Sequence, residues 1–131
     1  MNIRPSTKWD DQFILAGMQE LFAMHGAFHS SYEEIKEVPT GFYLIAESDE
    51  PVGILRGVFS EPTSMIYDVF VKPKYRNRGV GSALLERFKE MAKQKNSRHV
   101  VLATDIHNEM AQKFWRKHGF ADFQIKMIQD I

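Results

Sequence analysis

Val71-Lys72-Pro73-Lys74-Tyr75-Arg76-Asn77-Arg78-Gly79-Val80-Gly81-Ser82, running on into Ala83-Leu84-Leu85, is the stretch whose reading decides the fold. Met65 to Val71 before it reads as a strand. Beyond it, Leu84, Phe88, Met91 and Ala92 recur on one face of a helix that starts near Gly81 or Ser82 and ends near Asn96. A strand, a tight turn and a helix gather several backbone N–H groups and a positive helix end around one concavity, which suits an anion. Gly79 and Gly81 let the backbone approach a ligand with no Cβ between them, and Arg76 and Arg78 add charge for phosphate oxygens. A diphosphate fits this chemistry. No Gly-Lys-Ser/Thr closes the turn, so it is not the loop of a nucleotide hydrolase. Residue 84 is Leu rather than a third glycine, so it is not a dinucleotide fingerprint either. Taken alone, the same glycines and arginines also describe an ordinary solvated turn.

Downstream, His99 to Thr104 is a nearly continuous apolar run, as expected of a central strand covered on both faces. Strand, helix and strand in succession imply a right-handed parallel crossover. Met110, Ala111, Phe114, Trp115 and His118 share one helical face, Gly119 stands at a C-cap position, and Phe123 to Ile128 reads as a closing strand. Upstream, Asn2 to Pro5 reads as a first strand. Asp10 is placed to cap a helix carrying Ile14, Gly17 or Met18, Leu21, Phe22 and His25, which ends near Gly26. Ser30 or Ser31 ahead of Glu33 and Glu34 suggests a second helix start, and Pro39-Thr40-Gly41 breaks the chain. Phe42 to Ala46 and Val52 to Phe59 are then two strands joined by a hairpin loop at Glu47 to Glu50, and Glu61-Pro62-Thr63 turns into the strand at Met65. The expected architecture is α/β, a mixed central sheet of about six to seven strands flanked by helices, in one domain spanning residues 1–131.

The bulk composition narrows the function classes. The chain has 131 residues, 44% of them hydrophobic and 26% charged, and no apolar run approaches the ~20 residues of a membrane helix. Met1 to Asp10 shows no apolar run behind a basic start, so nothing there reads as a secretory signal and a cytoplasmic protein is expected. The absence of cysteine excludes disulfides, thiolate metal sites and a cysteine nucleophile. Seventeen basic residues balance seventeen acidic ones, which argues against nucleic acid as a partner. His25, His29, His107 and His118 form no metal-site spacing beyond the loose pair His25/His29, so no metal is expected.

The segment from Val71 to Leu85 closely resembles the cofactor signature of the GCN5-related N-acetyltransferase family, Arg/Gln-x-x-Gly-x-Gly/Ala. A second segment agrees: Asn108, then Ala111, Phe114, Trp115 and Gly119-Phe120 resemble that family's later motif, in which an asparagine precedes a helix ending in Gly-Phe. The resemblance is closest from Met65 to Phe120. It implies an acyl-CoA N-acyltransferase fold and acetyl-CoA as co-substrate, with an acetyl group passed to a small-molecule or peptide amine. Phe70 and Val71 would then offer backbone groups to the pantetheine arm. Arg76, Asn77, Arg78, Gly79, Val80, Gly81 and Ser82 would hold the diphosphate, Asn108 would touch the cofactor from the other side, and Phe114 would line its wall. The family splays the two central strands, here Met65 to Val71 and His99 to Thr104, to admit the pantetheine. Its members often pair, so a homodimer is an expectation. The region His25 to Thr40 would cover the acceptor pocket, with Glu33, Glu34 and Glu37 either attracting a cationic amine or forming a solvated face.

Acyl transfer to an amine requires a neutral nucleophile, a polarised carbonyl and protonation of the departing thiolate. Most primary amines are charged near neutrality, so a base must act first, and without cysteine the attack is expected to be direct, in a ternary complex. Where the family often carries a tyrosine for the thiolate, this chain has Trp115, whose indole N–H is a donor but not a useful acid. The remaining catalytic candidates are Asp68, a carboxylate inside a hydrophobic run, and its neighbour Tyr67. Regular strand alternation sends these two to opposite faces. The competing description of Asp68 is a polar group satisfied by a basic neighbour. A non-catalytic acyl-CoA-binding regulatory module is the alternative to an enzyme.

Overall fold

Phe42–Glu47 (β2) and Pro51–Val58 (β3) carry apolar residues at nearly every position, so each can be covered on both faces, and they form the middle of the sheet. The computed structural model describes residues 1–26 and 33–131. Asn2–Pro5 (β1) pairs with β2, β2 with β3, and β3 with Thr63–Val71 (β4), all antiparallel. His99–Leu102 (β5) joins β4 in parallel, giving the order β1-β2-β3-β4-β5. The crossover from β4 to β5 runs through a short 3-10 turn at Pro73–Tyr75 and the helix Val80–Gln94 (α2).

The two faces of the sheet hold separate cores. Leu44, Ala46, Val52, Leu55 and Ile66 pack with Val80, Leu84, Leu85 and Phe88 of α2. Tyr43, Ile45, Ile54 and Phe70 pack on the other face with Ile14 and Met18 of the helix Asp11–His25 (α1). Close approach of α1 depends on Gly17: a Cβ there would lie 2.8 Å from Ile54 Cδ1 and 2.9 Å from the Phe70 ring. Among the described residues no helix is long and apolar enough to cross a membrane.

Three expectations are corrected. The sheet has five strands among the described residues, not six or seven. Phe123 to Ile128 is not a strand: it alternates as one, but no neighbour supplies a ladder, and Phe123, Ile125 and Met127 stay 85%, 81% and 86% exposed. The second helix is absent from residues 33–38; its start at Ser30 or Ser31, like His29, lies outside the described residues. Side chains hold this stretch and the residue after it, with Gln19 Nε2 donating to Ile35 O at 3.2 Å and the Tyr43 hydroxyl to Pro39 O at 2.7 Å. Asp10 does precede α1, yet its carboxylate makes no capping bond to that helix and serves Arg4 and Thr7.

One irregularity sets the orientation of the site. Arg56 is paired with Asp68 and Gly57 with Ile66, which leaves Tyr67 as an extra residue in β4. Such a bulge shifts the phase of alternation. Ile66 therefore points into the α2 core, whereas Asp68, two positions on, lies with Phe70 and Arg56 on the α1 face.

Candidate functional site

The parallel ladder between β4 and β5 runs from Thr63↔His99 to Ile66↔Leu102 and ends there, although β4 continues to Val71. The second half of β4 thus has a free edge, beginning at the bulge. Lys72 N–H donates to Val52 O at 2.9 Å, so strand alternation turns the main-chain groups of Phe70 toward β3 and those of Val69 and Val71 toward the free edge. The expectation that Phe70 offers backbone groups is corrected accordingly: Phe70 contributes its ring, 4% exposed, and the edge groups belong to Val69 and Val71. One of them is engaged, since Arg76 Nε donates to Val71 O at 2.8 Å.

The turn after β4 puts Asn77 at φ 60 and Gly79 at φ 82, both in the left-handed region, where glycine and asparagine are the residues of least strain. Gly79 precedes the first turn of α2, whose leading N–H groups have no intrahelical partner. A Cβ on Gly79 would meet nothing within 4 Å, and one on Gly81 would stand 3.3 Å from the Phe114 ring, filling part of the space between α2 and the helix Glu109–Lys117 (α3). Asn108 caps α3, its Oδ1 accepting from Ala111 N–H at 3.2 Å. The two helices are joined where Ser82 Oγ and His118 Nε2 lie 2.9 Å apart.

These parts enclose a groove of about 600 Å³ lined from β4, the turn, α2, α3 and the α1 residues Leu21 and Met24. Phe70, Val71, Arg76, Asn77, Gly79, Val80, Gly81, Ser82, Asn108 and Phe114 all line it, so most of the cofactor residues expected from sequence converge. Arg78 does not: it is exposed, with its guanidinium 6.0 Å from the Tyr75 ring centre. Trp115 lines the groove and also packs edge-on against Phe114 and Phe120.

Tyr67 and Asp68 lie outside the groove lining, immediately before Val69, which is part of it. Arg56 joins them. Its Nη1 donates to Asp68 Oδ2 at 2.8 Å, its Nε donates to Thr40 O at 2.8 Å, and its guanidinium sits 4.7 Å from the Tyr67 ring centre. Burial lifts the Asp68 carboxyl above its ordinary pKa, opposed by the Arg56 hydrogen bond and by the charges of Arg56 and His25. Burial also pushes the neighbouring Tyr43 phenol up to about 12. Tyr67, by contrast, is 44% exposed. Sequence reasoning passed over Arg56 and Tyr43. A lone arginine within the apolar run Val52 to Phe59 was the available signal, because a charge in a central strand requires a partner. Among the described residues, no three His, Asp or Glu side chains gather as a metal site.

A splayed parallel pair of strands, with a glycine-rich turn at the helix that follows the first of them, defines an acyl-CoA N-acyltransferase fold. Comparison with known proteins agrees. A tetramutant of a Bacillus halodurans protein superposes with a TM-score of 0.85 at 15% identity, covering 100% of both chains. The aminoglycoside N-acetyltransferase AAC(6')-Iy, solved with CoA, superposes at 0.79 with 22% identity over 99% of this chain and 93% of its own. In sequence, the chain is 28% identical to an uncharacterized N-acetyltransferase of Methanocaldococcus jannaschii over 70% of its length, and 30% identical over 69% to a Bacillus subtilis protein with the provisional name ribosomal protein bS18-alanine N-acetyltransferase. It spans 43% and 60% of those two relatives. Residues 9–120 match the model of the Acetyltransferase (GNAT) family, and the chain belongs to that family.

Proposed function

We propose that this protein transfers an acetyl group from acetyl-CoA to a primary amine, the amine attacking directly in a ternary complex. The observation that carries the reading is the free edge of β4, opening at the Tyr67 bulge and leading straight into the Arg76–Ser82 turn. The groove suits the cofactor: a Cβ at Gly81 would intrude on it, and the space over Gly79 is open. Val69 and Val71 would pair with the pantetheine amides as an added strand does, the turn from Arg76 to Ser82 would bind the diphosphate, and Asn108 and Phe114 would close the opposite wall. Acetyl-CoA supplies the activated thioester.

The protein's own groups handle protons. Asp68, raised by burial, is a stronger base than an ordinary carboxylate and accepts the proton of the incoming ammonium through a water. Arg56 orients it. Tyr67, exposed at the bulge, offers its phenolic O–H to the departing sulfur. The acceptor is a small-molecule or peptide amine; the names of the similar proteins, one for aminoglycosides and one for a ribosomal-protein alanine, cover both kinds.

A second reading is supported by two observations. Asp68 is engaged by Arg56 and Trp115 is packed into the wall, which suits an acyl-CoA-binding regulatory module as well. Calorimetric titration with acetyl-CoA, against ATP as control, followed by thiol release across a panel of amines, separates the two. Saturable binding with amine-dependent release supports the enzyme, and binding without release supports the module. Absence of binding removes both.

A further inference from the structure

Two features of the chain lack a counterpart. β5 is the terminal strand of the sheet: one side is bonded to β4, and its outer edge has no neighbour among the described residues. Such an edge is a row of main-chain donors and acceptors that another strand can pair with. Beyond α3, residues 123–128 alternate as a strand does and have nothing to pair with. Phe120 anchors the chain just before them, its N–H donating to Trp115 O at 3.0 Å and its ring packing edge-on against Trp115. Past that point, among the described residues, no main-chain group bonds to another. Phe123, Ile125 and Met127 stand 85%, 81% and 86% exposed, and in a strand they share one side, with Gln124 and Lys126 on the other. A contiguous apolar row of this kind marks an interaction surface.

The two needs are complementary, an edge without a strand and a strand without an edge. Both belong to one chain and do not meet within it, so a second copy satisfies both at once. Reciprocal exchange about a two-fold axis gives each edge one segment and closes the assembly.

Faces and charges set the direction of pairing. Val100 and Leu102 pack toward the α2 core, and residues directly opposite one another on paired strands share a face. The apolar row therefore belongs opposite these two. Run antiparallel, Ile125 stands opposite Leu102 and Met127 opposite Val100. Asp130 then comes beside Arg98, which is exposed and enters no ion pair among the described residues. Run parallel with the same faces matched, Asp130 falls opposite Asp105, a like charge. Three apolar side chains of roughly 150 Å² each, supplied twice by the exchange and matched by the surface they cover, reach the ~1,200 to 2,000 Å² of a stable interface.

We propose that the protein forms a homodimer in which residues 123–128 of each copy pair antiparallel with the outer edge of β5 in the other, extending its α2 core with Phe123, Ile125 and Met127. None of these residues lines the groove, so the inference stands apart from the acyl-CoA reading.

Analytical ultracentrifugation of the full chain, 15.2 kDa, is expected to show a species of twice that mass. The double variant Ile125→Lys/Met127→Lys puts two charges into the shared apolar row. Both positions are exposed, so each copy keeps its fold, checked by circular dichroism, and the dissociation constant of the dimer should rise at least ~10-fold. Because the chain has no cysteine, the variant Val101→Cys/Lys126→Cys reads the pairing directly: the two positions are opposite in this register, and oxidation should join two copies on a denaturing gel. A parent protein that sediments as a monomer overturns the proposal, as does a dimer that Ile125→Lys/Met127→Lys leaves intact. A disulfide that closes within one chain overturns it too, and would mean that the segment folds back on its own β5.

Discussion

Asp10 and Asp68 both have little exposed side-chain surface, 3% and 6%, and each is ion-paired with an arginine, at 2.9 and 2.8 Å, but Asp68 lies deeper in the protein. Their carboxyls nevertheless move in opposite directions. Asp10, at the corner between β1 and α1, accepts from Arg4 Nη1 at 2.9 Å, from Arg4 Nη2 at 3.0 Å and from Thr7 N–H at 2.7 Å. The Arg4 bonds are the largest influence, and they hold its pKa below the usual carboxylate range despite burial. Asp68, beside the β4 bulge, receives one side-chain bond among the described residues, from Arg56 to Oδ2, and burial prevails. Depth of burial and the number of donors together, not the presence of a partner, decide the sign. A carboxylate saturated with donors ties two elements together, whereas one with spare lone pairs in a dry strand retains the capacity to take a proton.

The largest expected effect separates the two chemically. Asp68→Asn keeps an acceptor for Arg56 but cannot take a proton, so kcat should fall by about 10²- to 10³-fold, with the rising limb of the pH–rate profile lost and KM for acetyl-CoA little changed. Asp10→Asn should leave kcat where it was. An unchanged pH–rate profile in Asp68→Asn would remove Asp68 as the base and reduce both aspartates to structural pairs.

Stability should show the converse. Asp10→Ala strips Arg4 of its bidentate partner at a site where the carboxylate is buried, and a loss of about 2 kcal/mol in chemical denaturation is expected, below the range for fully buried pairs because Arg4 is partly exposed. Activity per folded molecule should not change. Were Asp10→Ala to cost no stability, the donor-saturated pair would not be the tie between β1 and α1 that its geometry describes.

How far the sequence reveals these two sites depends on how local their causes are. The turn from Arg76 to Ser82 is legible because its glycines, its following helix and its preceding strand are all consecutive, and residues 76, 77 and 79–82 do line the groove. Asn108 is legible for the same reason, as the cap of the helix that follows it. The Tyr67 bulge is not, because it exists only in the register between β3 and β4, and it reverses the alternation by which Asp68 and Tyr67 would be assigned to opposite faces. Arg56 ends up touching both residues. The Ser82–His118 contact is likewise invisible, since it joins residues on different helices. Phe123 to Ile128 shows the reverse failure: the alternation of a strand is plain in the sequence, but pairing needs a neighbour that alternation cannot supply.

A third prediction sharpens the contrast between holding the cofactor and moving protons. Gly81→Val would drive a side chain toward Phe114, whose ring is 3.3 Å from the position of the added Cβ. Affinity for acetyl-CoA measured by calorimetry should fall at least ~10-fold, equivalent to about 1.4 kcal/mol. Thermal stability should change little, because the clash is with one half-buried ring at the margin of the α2 core. Asp68→Asn should show the opposite division, with binding retained and turnover lost. Equal acetyl-CoA affinity in Gly81→Val would mean that the diphosphate does not sit on this turn.

The smallest effect is the most direct test of the sign. Asp10, depressed in the folded state, contributes stability that is present above the ordinary carboxylate value of ~4 and is lost as pH falls through its folded value. Asp68, raised in the folded state, does the reverse: its contribution is present below ~4 and is lost as pH rises through its folded value, because ionisation in the strand is disfavoured. An asparagine imitates the protonated form at either position. Relative to the parent protein, Asp10→Asn should therefore become more destabilising as pH rises through the carboxylate range, and Asp68→Asn less so. Denaturation midpoints across that range would read both slopes. Parallel slopes would mean that the lone Arg56 bond outweighs burial, and Asp68 would then be as fully held as Asp10.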